Sequence, residues 1–123
     1  MEASDTLVDA AWLAAHLQHP AVRIVHVGWS AAGGTAAARR AYEEGHVVGA
    51  AFLDVDRDLA GEPFVDGPGR HPLPSADRFA ATMSAIGVGD DTTVVAYDDV
   101  GGSLAARVWW MLRVTGHPAA LLD

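Results

Sequence analysis

Apolar residues in this chain gather into short unbroken runs separated by stretches of helical spacing. Arg23–Val27 (R-I-V-H-V), Gly49–Asp54 (G-A-A-F-L-D) and Thr92–Tyr97 (T-T-V-V-A-Y) read as buried strands. Thr6–Val8 is a further short apolar segment, and Ala119–Leu122 begins a fifth strand. Asp9 is expected to cap a helix through about Gln18, where Trp12, Leu13, His16 and Leu17 recur at helical spacing before Pro20 ends the run. Thr35 is expected to cap a helix through Glu44, with Gly45 as its left-handed C-terminal residue. Ser75 caps a helix that carries Phe79, Met83 and Ile86 on one face and stops at Gly87. Ser103 is expected to cap a strongly apolar helix over Leu104–Thr115.

Strand and helix alternate throughout, and the strands are continuous apolar runs rather than polar–apolar alternations. That pattern predicts an α/β fold, a parallel sheet covered by helices on both faces. Ligands of such sheets sit at the carboxyl ends of the strands, which singles out the loops after Leu53 and after Tyr97. The first leads into Val55–Ser75, an irregular stretch rich in proline, glycine and aspartate, long for so small a domain. No repeat or linker divides the 123 residues, so one domain is expected over 1–123. A final strand ending at Asp123, with no helix behind it, predicts a lightly covered sheet face and a parent chain that continues.

Composition narrows the chemistry. The chain has no cysteine, and all eight basic residues are arginine. Disulfides, thiolate nucleophiles, cysteine zinc sites, Schiff-base chemistry and a phosphate-loop lysine are thereby excluded. A net charge of −8 argues against nucleic acid and anionic membranes as partners. No apolar run reaches transmembrane length, and Glu2 and Asp5 stand where a signal peptide would be basic, so a cytoplasmic location is the default expectation.

Several constellations bear on chemistry. Asp54 and Asp56, two apart at a strand end, resemble the opening motif of haloacid-dehalogenase phosphohydrolases. The chain lacks the lysine that such enzymes require, and the simpler expectation is two aspartates capping loop amides. Ser103 lies near a G-x-S-x-G pattern but too far from its strand for a nucleophile elbow. The same glycine loop is a poor phosphate cradle, because Asp98 and Asp99 would repel the anion. His16 and His19 have no third ligand placed by sequence, and no metal site is expected. His26 reads as a partnered strand histidine. His71, in the long ligand-side loop before Pro72-Leu73-Pro74-Ser75, is a candidate for polar work. On the last helix Leu104, Val108, Met111 and Leu112 must face the sheet, while Trp110 points nearly opposite, flanked by Arg107 and Arg113. Such a trio fits a domain interface, or equally a tryptophan packed under a neighbouring loop.

Taken together, these residues resemble the rhodanese family. Ala41–Ala50 (A-Y-E-E-G-H-V-V-G-A) is similar to its aromatic/Gly-His/Gly-Ala signature, although Val47-Val48 stand where Ile-Pro is usual. His71–Ser75 is similar to the H-x-L-P-S motif of two-domain sulfurtransferases, and Ala105–Gly116 resembles their amino-terminal domain. The resemblance implies a five-stranded parallel sheet in the order 1-5-4-2-3. It implies transfer of a sulfane sulfur from thiosulfate or 3-mercaptopyruvate, small anionic donors, to cyanide or a thiol through a cysteine persulfide. Asp98 stands at the place of that cysteine. The working cysteine would belong to a carboxy-terminal rhodanese domain of the same polypeptide, and the Asp-Gly-Gly usual after the fifth strand is cut at Asp123. No cofactor is implied. Within the mercaptopyruvate branch, the aspartate and histidine that the amino-terminal domain lends to the active site fall by motif on Asp56 and His71. The alternative is a free-standing inactive rhodanese domain with a binding or regulatory role.

Overall fold

A computed structural model describes residues 6–123; Glu2 and Asp5, which bear on the signal-peptide expectation, lie outside them. In chain order the elements are β1 (Leu7–Val8), α1 (Ala10–His16), β2 (Val22–Gly28), α2 (Gly34–Glu44), β3 (Ala51–Asp54), α3 (Val55–Asp58), α4 (Ala76–Ala85), β4 (Thr93–Tyr97), α5 (Ala105–Val114) and β5 (Ala119–Leu122). The strands form one sheet in the order β1-β5-β4-β2-β3, with every neighbouring pair parallel. The fold class and strand order are those expected.

Each sheet face carries a core because successive strand side chains point to opposite sides. Val25 and Val27 of β2, Leu53 of β3 and Val94 and Ala96 of β4 meet Phe79 and Met83 of α4 and Val108, Met111 and Leu112 of α5. The smaller core on the other face joins Ile24, Val95 and Ala120 to Leu13 of α1. On β2 the same face ends in Gly28. A Cβ there would stand 3.0 Å from the Phe52 ring and 3.4 Å from Ala38 of α2, so glycine lets α2 lie close against the sheet.

Three local expectations need correction. Thr35 does not cap α2; Gly33 holds that position without a side-chain cap, and the Thr35 hydroxyl instead donates to Asp54 Oδ2 at 2.8 Å. Gly45 is not left-handed; its φ of −177° is extended backbone. Val55–Asp58, expected as loop, forms the short helix α3, capped by Asp54, whose Oδ2 accepts the Arg57 N–H at 2.9 Å. Asp54 thus fills the capping role expected of it through Oδ2, while its Oδ1 is buried without a hydrogen-bond partner among the described residues; Asp56, expected to cap loop amides as well, accepts side-chain donors instead. Among the described residues no helix is long and apolar enough to cross a membrane. His16 and His19 each spend a ring nitrogen on local backbone, His16 against Trp12 O and His19 against Ala21 N–H.

His26 is a buried, partnered histidine. The Tyr97 hydroxyl accepts the Val47 N–H at 2.8 Å and is hydrogen-bonded to His26 Nδ1 at 2.9 Å, with Tyr42 edge-on to the imidazole. Burial pushes the imidazole down from its ordinary value, against an opposing pull from Asp99. A histidine depressed in the folded state contributes stability that is complete above the unfolded value and is lost as pH falls through the folded one. Urea midpoints are therefore expected to drop as pH falls below the ordinary histidine value of about 6.5, and to drop less in His26→Leu. An equal slope in that variant would assign the acid sensitivity to another group.

Candidate active site

The carboxyl ends of β2 and β3 bring three side chains together. β2 ends at Gly28, and the next residue, Trp29, reaches over the strand ends. β3 runs into α3, whose second residue is Asp56. His71 returns from the far limb of the long loop. Its Nε2–H donates to Asp56 Oδ1 at 2.6 Å, while Trp29 Nε1–H donates to Asp56 Oδ2 at 3.1 Å. The Trp29 and His71 rings meet edge to face, their centroids 5.8 Å apart.

The carboxylate thus has one donor on each oxygen. Asp56 fixes the tautomer of His71, because the proton on Nε2 leaves Nδ1 as the basic nitrogen when the ring is neutral. An oriented imidazole of this kind can give or take a proton at Nδ1 or bind an anion once charged. The three residues line a cleft of about 400 Å³ together with Ser30, Gly61 and Arg70. Arg70 places a positive charge at this cleft in a chain of net charge −8.

Asp98 occupies the second ligand-side loop. Its Oδ1 accepts the N–H groups of Val100 and Gly102 at 2.9 and 2.8 Å, and its Oδ2 those of Leu104 and Ala105 at 2.9 and 2.8 Å. Burial opposes ionisation, but the four amides outweigh it and hold the carboxyl below its ordinary value. One expectation changes here. Ser103 does not cap α5; Leu104 holds the N-cap position without a side-chain bond, and Asp98 satisfies the amides at the helix start. The loop amides converge on the loop's own aspartate, in keeping with the expectation that this is a poor phosphate cradle. Gly101 and Gly102, at φ of 84° and 99°, allow the backbone to turn inward in this way.

The α5 trio divides. Trp110 is 47% exposed, beside Leu73, Pro74 and Val114. Arg113 is exposed, its guanidinium carbon 5.9 Å from the centre of the Trp109 ring. Arg107, grouped with them for an interface, turns into its own domain instead: Nε donates to Leu59 O at 2.7 Å, and Nη2 to His71 O and Pro72 O at 2.8 and 3.1 Å. Helical spacing gives the direction of a side chain but not how far an arginine reaches. Trp29 was missed altogether. Its one signal was a tryptophan directly after a strand, on the edge where ligands bind.

Comparison with known proteins agrees with this architecture. The sequence model of the rhodanese-like domain matches residues 9–123. The thiosulfate sulfurtransferase of Cricetulus griseus is 39% identical over 119 residues, covering 90% of this chain and 38% of that protein. The 3-mercaptopyruvate sulfurtransferase of Homo sapiens is 40% identical over 124 residues, covering 95% and 40%. Among solved structures, the 3-mercaptopyruvate sulfurtransferase of Leishmania major superposes with a TM-score of 0.83 at 28% identity, over 99% of this chain and 33% of that one. A 3-mercaptopyruvate sulfotransferase from Escherichia coli gives 0.81 at 30% identity, over 98% and 45%. The chain spans less than half the length of each.

Proposed function

Because the chain belongs to the rhodanese-like domain family, we propose that it is the amino-terminal, non-nucleophilic half of a two-domain sulfurtransferase. The parent moves a sulfane sulfur from thiosulfate or 3-mercaptopyruvate to cyanide or a thiol. The nucleophilic cysteine belongs to the carboxy-terminal domain, and this half lends Asp56 and His71 to the shared site. The observation that carries the proposal is Asp98. It stands where the persulfide-forming cysteine of single-domain members would be, and a carboxylate bonded to four loop amides cannot carry a transferable sulfur. The short coverage of the relatives supports a second domain.

In this arrangement His71, held by Asp56, orients the anionic donor or protonates the group that leaves it, while Arg70 supplies further positive charge at the cleft. The exposed face of Trp110, with Arg113, is offered to the partner domain. The experiment is thiocyanate formation from thiosulfate and cyanide, run beside pyruvate formation from 3-mercaptopyruvate. The purified chain alone is expected to show no turnover with either donor, and the full two-domain protein to show it with at least one. Turnover by this chain alone would sink the division of labour. A native protein that ends at Asp123 and is inactive would favour a free-standing binding domain instead.

A further inference from the structure

Arg107 is a half-buried cation that makes no ion pair among the described residues. An arginine remains charged in such a place, so its position must be compensated by oriented dipoles. Three backbone carbonyls supply them, those of Leu59, His71 and Pro72. They come from the two limbs of one loop, which leaves the protein body after α3 and returns before α4. At the same neck the Gly61 N–H donates to Pro72 O at 2.8 Å. A Cβ on Gly61 would lie 2.8 Å from Asp66 and 3.0 Å from Leu73 O, so the limbs close there with no room to spare.

We propose that Arg107 is a positioning residue for the sulfur-transfer site: it clamps the neck of the 59–72 loop and so sets His71 against Asp56. The role rests on the function proposed above for His71. Arg107 bonds the carbonyl of His71 itself, so the clamp acts on the residue whose imidazole meets Asp56 at 2.6 Å. It also ties the loop to α5, a rigid element whose first turn is anchored through Asp98. Only a forked donor can span both limbs. A lysine ammonium carries the same charge on a similar stem but cannot reproduce the planar geometry that serves Leu59 and His71–Pro72 together.

The test uses the intact two-domain enzyme with Arg107→Met and Arg107→Lys, each alone and combined with His71→Ala. Arg107→Met is expected to lower kcat by about ten- to a hundredfold with little change in KM, the cost of a displaced catalytic group. Arg107→Lys, the variant that keeps charge and packing if the methionine form folds poorly, is expected to fall between it and wild type. Added to His71→Ala, either substitution is expected to change kcat by no more than about twofold, because both act through one imidazole. Amide exchange across residues 59–72 should quicken in both arginine variants while the strand amides of β2 and β4 stay protected. If the Arg107 and His71 losses simply multiply, or if loop exchange is unchanged, the positioning role is wrong. A His71→Ala enzyme with wild-type kinetics overturns the function assigned to His71 and the positioning role with it. A costly His71→Ala with multiplying losses overturns the positioning role alone.

Discussion

Asp98→Ala is expected to destabilise the domain by about 2–4 kcal/mol, a melting temperature lower by roughly 10–20 °C. Four amides would lose their acceptor at once, two of them at the entry to α5. Water replaces part of what is lost, because the loop is partly open, which keeps the figure below the sum of four charge-assisted bonds. Asp98→Asn separates charge from shape. Its amide oxygen accepts two of the bonds, while its NH₂ group confronts the other two donors, so it should retain less than half of the stabilisation. The sign with pH follows from the depressed carboxyl. The contribution is complete above the ordinary aspartate value of about 3.8 and is lost as pH falls through the lower, folded value. Thermal melts of the three proteins at neutral and acid pH check both statements; an Asp98→Ala domain that melts with wild type would show the amides to be satisfied by solvent.

The second large effect concerns activity. In the intact enzyme His71→Ala is expected to reduce kcat/KM by about ten- to a thousandfold, the range for losing a positioned acid or base. Asp56→Asn should fall in the same direction with a smaller loss, because an amide side chain still accepts the Nε2 proton but no longer stabilises the imidazolium. Trp29→Phe keeps the ring against His71 and removes only the 3.1 Å bond to Asp56, so a change of a few fold is expected. Folding should survive all three, since Asp56, His71 and Trp29 lie outside both hydrophobic clusters. Steady-state kinetics with each donor, alongside melting temperatures, decide the matter. An unaltered kcat/KM in His71→Ala would leave the 2.6 Å pair a purely structural contact.

The strands were legible because a sheet buried on both faces needs continuous apolar runs, and the chain supplies five. Helix ends were less so, because a cap is a competition between nearby side chains. Ser103 has the right chemistry for α5 and sits beside its start, yet Asp98 wins from seven positions before Ala105 because a folded glycine loop carries it there. Thr35 similarly turns its hydroxyl to Asp54, a partner that only the packing of α2 on the sheet provides. Asp56 and His71 were reachable from their place on the ligand side and from their motifs. That the two approach each other was expected as well; the third member, Trp29 on Asp56 Oδ2, was not. Arg107 shows the same limit in reverse: its angular position on α5 was read correctly, while its partners came from a loop with no regular structure.

The strand order also carries a consequence for the order in which the protein can be built. Among the described residues β1 hydrogen-bonds to β5 alone, through the Leu7↔Leu121 and Val8↔Leu122 register, so the first strand of this sheet to be synthesised is matched to the last of its five. Until residues 119–122 emerge, β1 has no partner and the outer edge of β4 stands open, its N–H and C=O groups unpaired. Nascent chains arrested before Ala119 present that edge to one another at the moment of greatest local crowding, which makes this interval of synthesis the one in which a chaperone has most to protect.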